Sequence, residues 1–149
     1  QMLPHPPYMF TETCEQLAVH QIDAKKGYRD NYHCALIKVE EFMKKINILD
    51  PDAIVVIQGD HGWPAEGMHD VRMDDPKIAR ARGRIFNAIK APNSCFEKYG
   101  EPKTNVNSIR FVLNCAYGFE LPFRKDIHYM GYYESNPKMF GNVFEKKIY

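Results

Sequence analysis

The chain has 149 residues, 44% of them apolar and 26% charged, with a formal net charge of +1. That composition describes a folded globular segment with enough chain to bury a core, not a disordered tail. It excludes the basic stripe of a nucleic-acid binder, and the longest apolar run, residues 53–57, falls far short of the ~20 residues that cross a bilayer.

Residues 2–10 hold Pro4, Pro6 and Pro7. Proline cannot donate to a sheet ladder, so this stretch reads as a strand end running into a loop. Starting inside such a stretch, the chain reads as part of a longer protein. Residues 11–27 are polar and mixed, predicting a loop with at most one helical turn. Tyr32, Ala35, Leu36, Val39, Phe42, Met43 and Ile46 then recur at helical spacing and predict one buried helix face. Asp30 is the expected N-cap, and the helix should stop near Asn47 before the turn at Asp50-Pro51-Asp52.

Ala53-Ile54-Val55-Val56-Ile57 is β-branched and does not alternate. Such a run suits a strand buried on both faces, which predicts a central parallel strand between helices and an α/β class. Residues 62–75 read as an irregular loop, with a helical turn starting near Pro76 and a further strand within residues 84–91. A helix should start at 104–108, bury Ile109, Val112, Leu113 and Ala116, and stop at Gly118. Residues 143–149 could close as an edge strand.

Four cysteines, at 14, 34, 95 and 115, are widely spaced without a CxxC pair. This argues against a zinc knuckle or a thioredoxin-like motif. Buried thiols and disulfides both stay open, the second if the protein works outside the cytoplasm.

Open α/β sheets bind ligands beyond the carboxyl ends of their strands, and Gly59-Asp60-His61-Gly62 follows directly on the apolar run. A carboxylate beside an imidazole suits Zn²⁺ or Mn²⁺ better than Mg²⁺ or Ca²⁺. The plainer reading is an aspartate that caps a turn and a histidine held by a hydrogen bond. His5 lies between Pro4 and Pro6, whose stiff backbone could hold one imidazole at a fixed point, as an anion-binding or proton-donating group requires. Its plainer reading is a solvated loop histidine.

Together, His5-Pro6-Pro7-Tyr8, the helix around Tyr32-His33-Cys34-Ala35-Leu36, the stretch Pro51 to Gly62, Arg84 to Pro92, and Asn105 to Arg110 resemble a known family. It is the sulfatase-like branch of the alkaline phosphatase superfamily, which includes lipoteichoic-acid synthases and phosphoethanolamine transferases. The resemblance runs from His5 to about Cys115. It implies a three-layer α/β sandwich, with this chain as the C-terminal portion of the catalytic domain and a partly parallel sheet flanked by helices.

The resemblance further implies that Asp60 and His61 are metal ligands, that His5 contacts the phosphate or sulfate group of an ester substrate, lipid-linked esters included, and that the metal is Mn²⁺ or Zn²⁺. In the family the nucleophile and first acidic ligand precede the His-Pro-Pro stretch. The chain is therefore expected to carry no nucleophile and to be inactive alone, as part of a hydrolase or transferase. It also implies a membrane-anchored parent facing outside the cytoplasmic membrane, and self-association of this chain through an exposed sheet edge.

His69 is a further candidate for substrate binding, against the reading of an exposed loop residue. His20, His33 and His128 have no supporting context, and Arg80, Arg82 and Arg84 could meet an anionic substrate or simply face solvent. The alternative from another class is a non-catalytic α/β binding module or pseudoenzyme.

Overall fold

The computed structural model describes residues 4–63, 76–130 and 144–146. The chain divides into two compact units, Gln1–Pro51 and Asp52–Tyr149.

The first unit is one long helix with a loop laid over its first turns. Helix α1 spans Ala24–Leu49 and starts earlier than expected, because Asp23 is the N-cap: its carboxylate accepts from the Lys26 amide at 2.9 Å. Asp30, expected as the cap, lies inside α1, buried and paired with Lys26 and Arg29. Gly27 sits in the first turns because the Tyr8 ring crosses it; a Cβ there would come within 2.5 Å of that ring.

The covering loop is tied back on itself by Leu17 N–H to Met9 O and Gln21 N–H to Tyr8 O. It is tied to α1 by the Cys14–Cys34 disulfide and by the Asn31 amide, which donates to Phe10 O and Gly27 O at 2.9 Å each. The Pro6–Pro7 peptide is cis.

The buried residues of α1 are Gly27, Asp30, Asn31 and Cys34. The expected apolar face is not buried: Leu36 and Phe42 are exposed, and Tyr32, Val39, Met43 and Ile46 are half-exposed. Among the described residues of this unit, the loop's ties to α1 are at its N-terminal part, through Asn31 and Cys34, and the later turns stay largely exposed.

The second unit holds the remaining elements. Strand β1 spans Val55–Gln58, helix α2 Pro76–Gly83, strand β2 Asn87–Lys90, helix α3 Asn93–Tyr99 and helix α4 Asn105–Tyr117. The short strands β3 (His128–Met130) and β4 (Phe144–Lys146) follow. The sheets are two antiparallel pairs, β1 with β2 and β3 with β4.

This corrects the expectation of a three-layer α/β sandwich with a partly parallel sheet. The described fold is mostly helical, and β1 pairs only with β2, in the register Val55 to Lys90 and Gln58 to Asn87. The reason lies at the end of β1, where the Gly59 amide bonds the Phe86 carbonyl at 2.9 Å. The returning chain re-enters beside that end, so β2 must run the other way. A β-branched run without alternation marks a strand, but it does not set the direction of its partner. All four residues of β1 remain half-exposed.

Helix α4 starts and stops where expected. Thr104 caps it through Asn107 N–H, and Gly118, at φ 69° and ψ 20°, closes it in the left-handed region. Its buried face differs from the expected one. Asn107, Ser108, Phe111 and Asn114 are buried, whereas Ile109 is 55% exposed. Phe111 meets Phe96 of α3 with ring centroids 4.8 Å apart, and the Cys95–Cys115 disulfide joins the same two helices.

The polar residues are on the inside because they hold the chain that follows. The Asn107 amide donates to Arg124 O and Asp126 Oδ1 and accepts from Arg124 N–H, while Asn114 brackets Leu121 through both its amide groups. No helix among the described residues is long and apolar enough to cross a membrane.

Candidate metal centre

The centre is built on the turn that leaves β1. Gln58, the last residue of the strand, donates through Nε2 to Asn87 Oδ1 at 2.9 Å and to Asn105 Oδ1 at 3.1 Å. That amide therefore joins β1, β2 and the start of α4 at one point. The Gly59 amide is held by Phe86 O, and the Gly62 amide donates to Arg82 O at 2.6 Å. The two residues between, Asp60 and His61, are thus fixed at both ends.

Gly62 is required by close approach. A Cβ there would overlap the Ala81 carbonyl oxygen and come 2.5 Å from that of Arg84. Gly59 differs, since its nearest neighbours would be at 3.7 and 3.8 Å, an ordinary contact.

The side chains of the pair are each anchored by one atom. Asp60 Oδ1 accepts from the His61 backbone amide at 3.0 Å. His61 Nδ1 lies 2.8 Å from Gly62 O. A carbonyl can only accept, so Nδ1 carries a proton, and in the neutral ring the lone pair is then on Nε2. That is the arrangement of a ligating histidine, whose other ring N–H is held by a backbone carbonyl or carboxylate.

The second atoms, Asp60 Oδ2 and His61 Nε2, are 3.8 Å apart. These two outward atoms are the ones that would hold a divalent ion. Asp60 is 91% exposed and His61 41%, so water can fill the remaining positions. The donor set, one carboxylate oxygen and one imidazole nitrogen, fits a borderline divalent ion but supplies only part of a coordination shell. Among the described residues no group of three or more His, Cys, Asp or Glu side chains comes together.

Asp60 and His61 are thus brought together as a pair. His5 belongs to the first unit, exposed, with Nδ1 2.6 Å from Pro6 O. His69 lies outside the described residues. Sequence reasoning missed Gln58, Asn87 and Asn105, which have no motif spacing; their one signal is a polar residue closing an apolar run. It also missed the Arg82 backbone carbonyl, which accepts from the Gly62 amide and so holds the end of the turn.

Comparison of the chain with protein-family models, with curated proteins and with solved structures found no match.

Proposed function

We propose that the chain carries part of the metal site of a metal-dependent enzyme that transfers a phosphoryl or sulfuryl group from an ester. The observation that carries this reading is the Asp60–His61 pair: each side chain has one atom tied to the backbone, and the two outward donor atoms are 3.8 Å apart. Such preorganisation is what ligation of one divalent ion requires. The resemblance of the residues around the pair to the sulfatase-like branch of the alkaline phosphatase superfamily supports the same reading, without its sandwich fold.

The ion is Mn²⁺ or Zn²⁺. When bound, it would supply Lewis-acid stabilisation of charge on the transferring group. Asp60 contributes a charged ligand, His61 a neutral one, and Gly62 keeps both beside the 81–84 backbone. By the resemblance alone, His5 and His69 would contact the phosphate or sulfate group of the substrate. No residue of the chain is assigned as nucleophile, so the chain by itself is expected to give no turnover. The enzyme works outside the cytoplasmic membrane, a placement supported by the two disulfides.

Isothermal titration of the chain with Mn²⁺ and Zn²⁺ tests the reading. Weak binding is expected, lost in Asp60→Ala and in His61→Ala. Tight stoichiometric binding that survives both substitutions contradicts it. So does hydrolysis of an aryl phosphate by the pure chain, which would place a nucleophile within it.

A further inference from the structure

The turn that carries Asp60 and His61 does not stand alone; the end of α2 and the residues that follow it are laid along it. The Gly62 amide bonds Arg82 O, the Gly59 amide bonds Phe86 O, and Arg84 O occupies the space a Gly62 side chain would need. Residues 82–86 therefore back residues 59–62 along their length. This backing segment carries two arginines, Arg82 and Arg84, and Arg80 lies two residues before it.

None of the three guanidinium groups has a carboxylate partner among the described residues. Arg82 is nevertheless half-buried. A solvated basic face explains positive charge, but it does not explain why the charge lies on a segment hydrogen-bonded to both ends of the Gly59–Gly62 turn.

We propose that Arg82 and Arg84 form the anion-holding side of this site, taking a tetrahedral oxyanion, phosphate or sulfate, next to the ion at Asp60 and His61. The proposal rests on the metal reading above and names the residues that meet the transferring group. Arginine suits this role because it stays charged at any working pH, and its planar fork matches two oxygens of a tetrahedral oxyanion. A divalent ion with a single carboxylate ligand keeps net positive charge, and two guanidinium groups beside it would favour a dianion over a neutral ligand.

The experiment uses the whole 149-residue chain and two separate readouts. Electron paramagnetic resonance of free Mn²⁺ measures metal binding, and ³¹P line broadening of inorganic phosphate by bound Mn²⁺ measures the anion beside the metal. Asp60→Ala serves as the metal-free control. In the double variant Arg82→Ala/Arg84→Ala, phosphate affinity should fall by about tenfold or more, as expected on losing charge-assisted hydrogen bonds. Mn²⁺ affinity should stay the same. Arg82→Lys/Arg84→Lys should recover part of the loss, and sulfate should compete with phosphate.

Equal broadening in the wild type and the double alanine variant overturns the proposal. Loss of Mn²⁺ and phosphate binding together also overturns it, because the segment would then be only a support for the turn. If the wild-type chain binds no Mn²⁺, the metal reading fails. The anion proposal is then decided by titrating phosphate without metal into the wild type and the double alanine variant, and equal affinity rejects it.

Discussion

The amide of Gly62 and the carbonyl of Arg82 meet at 2.6 Å, and the volume that a side chain at Gly62 would fill is already taken by the Ala81 and Arg84 carbonyls. Gly62→Ala must therefore push two strands of backbone apart. Overpacking of this kind costs about 1–3 kcal/mol. Gly59→Ala meets only ordinary contacts and should change stability by less than about 1 kcal/mol. Urea unfolding of the two variants, followed by fluorescence, compares them directly; equal midpoints would refute the close-approach argument.

Asn107 makes three hydrogen bonds to residues 124 and 126 from a buried position. Asn107→Ala would strand the Arg124 amide and carbonyl, each worth about 1–3 kcal/mol if left unpaired and buried. Because the 121–126 segment can turn to water, the loss should be at the lower end. Hydrogen exchange at residues 121–126 should rise in this variant and stay unchanged in Ile109→Ala, whose side chain faces solvent.

This contrast shows what could be read in advance for α4. Its ends were legible, because Thr104 and Gly118 are local chemistry: a side-chain oxygen for a free amide, and a residue that tolerates positive φ. Its buried face was not. Apolar spacing pointed to Ile109, but the helix turns Asn107 and Asn114 inward because the chain after Gly118 folds back and needs partners for its backbone. The same limit governs β1. Residues 53–57 announce a strand, while the direction of its neighbour depends on Gly59 meeting Phe86, far along the sequence. The Asp60–His61 pair was legible as a candidate because both donors are adjacent in sequence; its supports, Gln58 with Asn87 and Asn105, are joined only by folding.

Asp30 sets an acid limit on the first unit. The hydrogen bond from Lys26 holds its carboxyl below the ordinary 3.8, outweighing burial, which pushes it up. A carboxyl lowered in the folded state stabilises that state above its unfolded value, and the stabilisation fades as pH falls through the lowered folded value. Asp30→Asn should therefore cost about 1 kcal/mol at pH 7, a modest figure because Lys26 is half-exposed. Well below pH 3.8 the difference should vanish. Chemical unfolding of both proteins at pH 7 and at strongly acid pH measures it; a difference independent of pH would remove the ionised carboxylate from the account.

Each disulfide closes a loop with a sequence separation of 20, one in each unit. Constraining a loop of that size is worth about 3 kcal/mol in the chain-entropy view. Cys14→Ser/Cys34→Ser should raise hydrogen exchange in the covering loop and the start of α1, leaving α3 and α4 protected. Cys95→Ser/Cys115→Ser should do the reverse. Loss of protection throughout the chain from either variant would show that the two units unfold together.

The pairing order of those disulfides bears on how the protein is made. Four cysteines permit three connectivities, and this chain uses the one in which each thiol joins the next in sequence, 14 with 34 and 95 with 115. Of the cysteines within these 149 residues, Cys14 alone is made before Cys34. Once that bond has formed, Cys115 finds only Cys95. Among these four thiols the correct partner is at each stage the only free one already delivered, so for them oxidation in order of synthesis gives the observed pairing without reshuffling. Refolding the reduced 149-residue chain removes that ordering and exposes all three pairings at once, which makes secretion into an oxidising compartment a better production route than oxidative refolding.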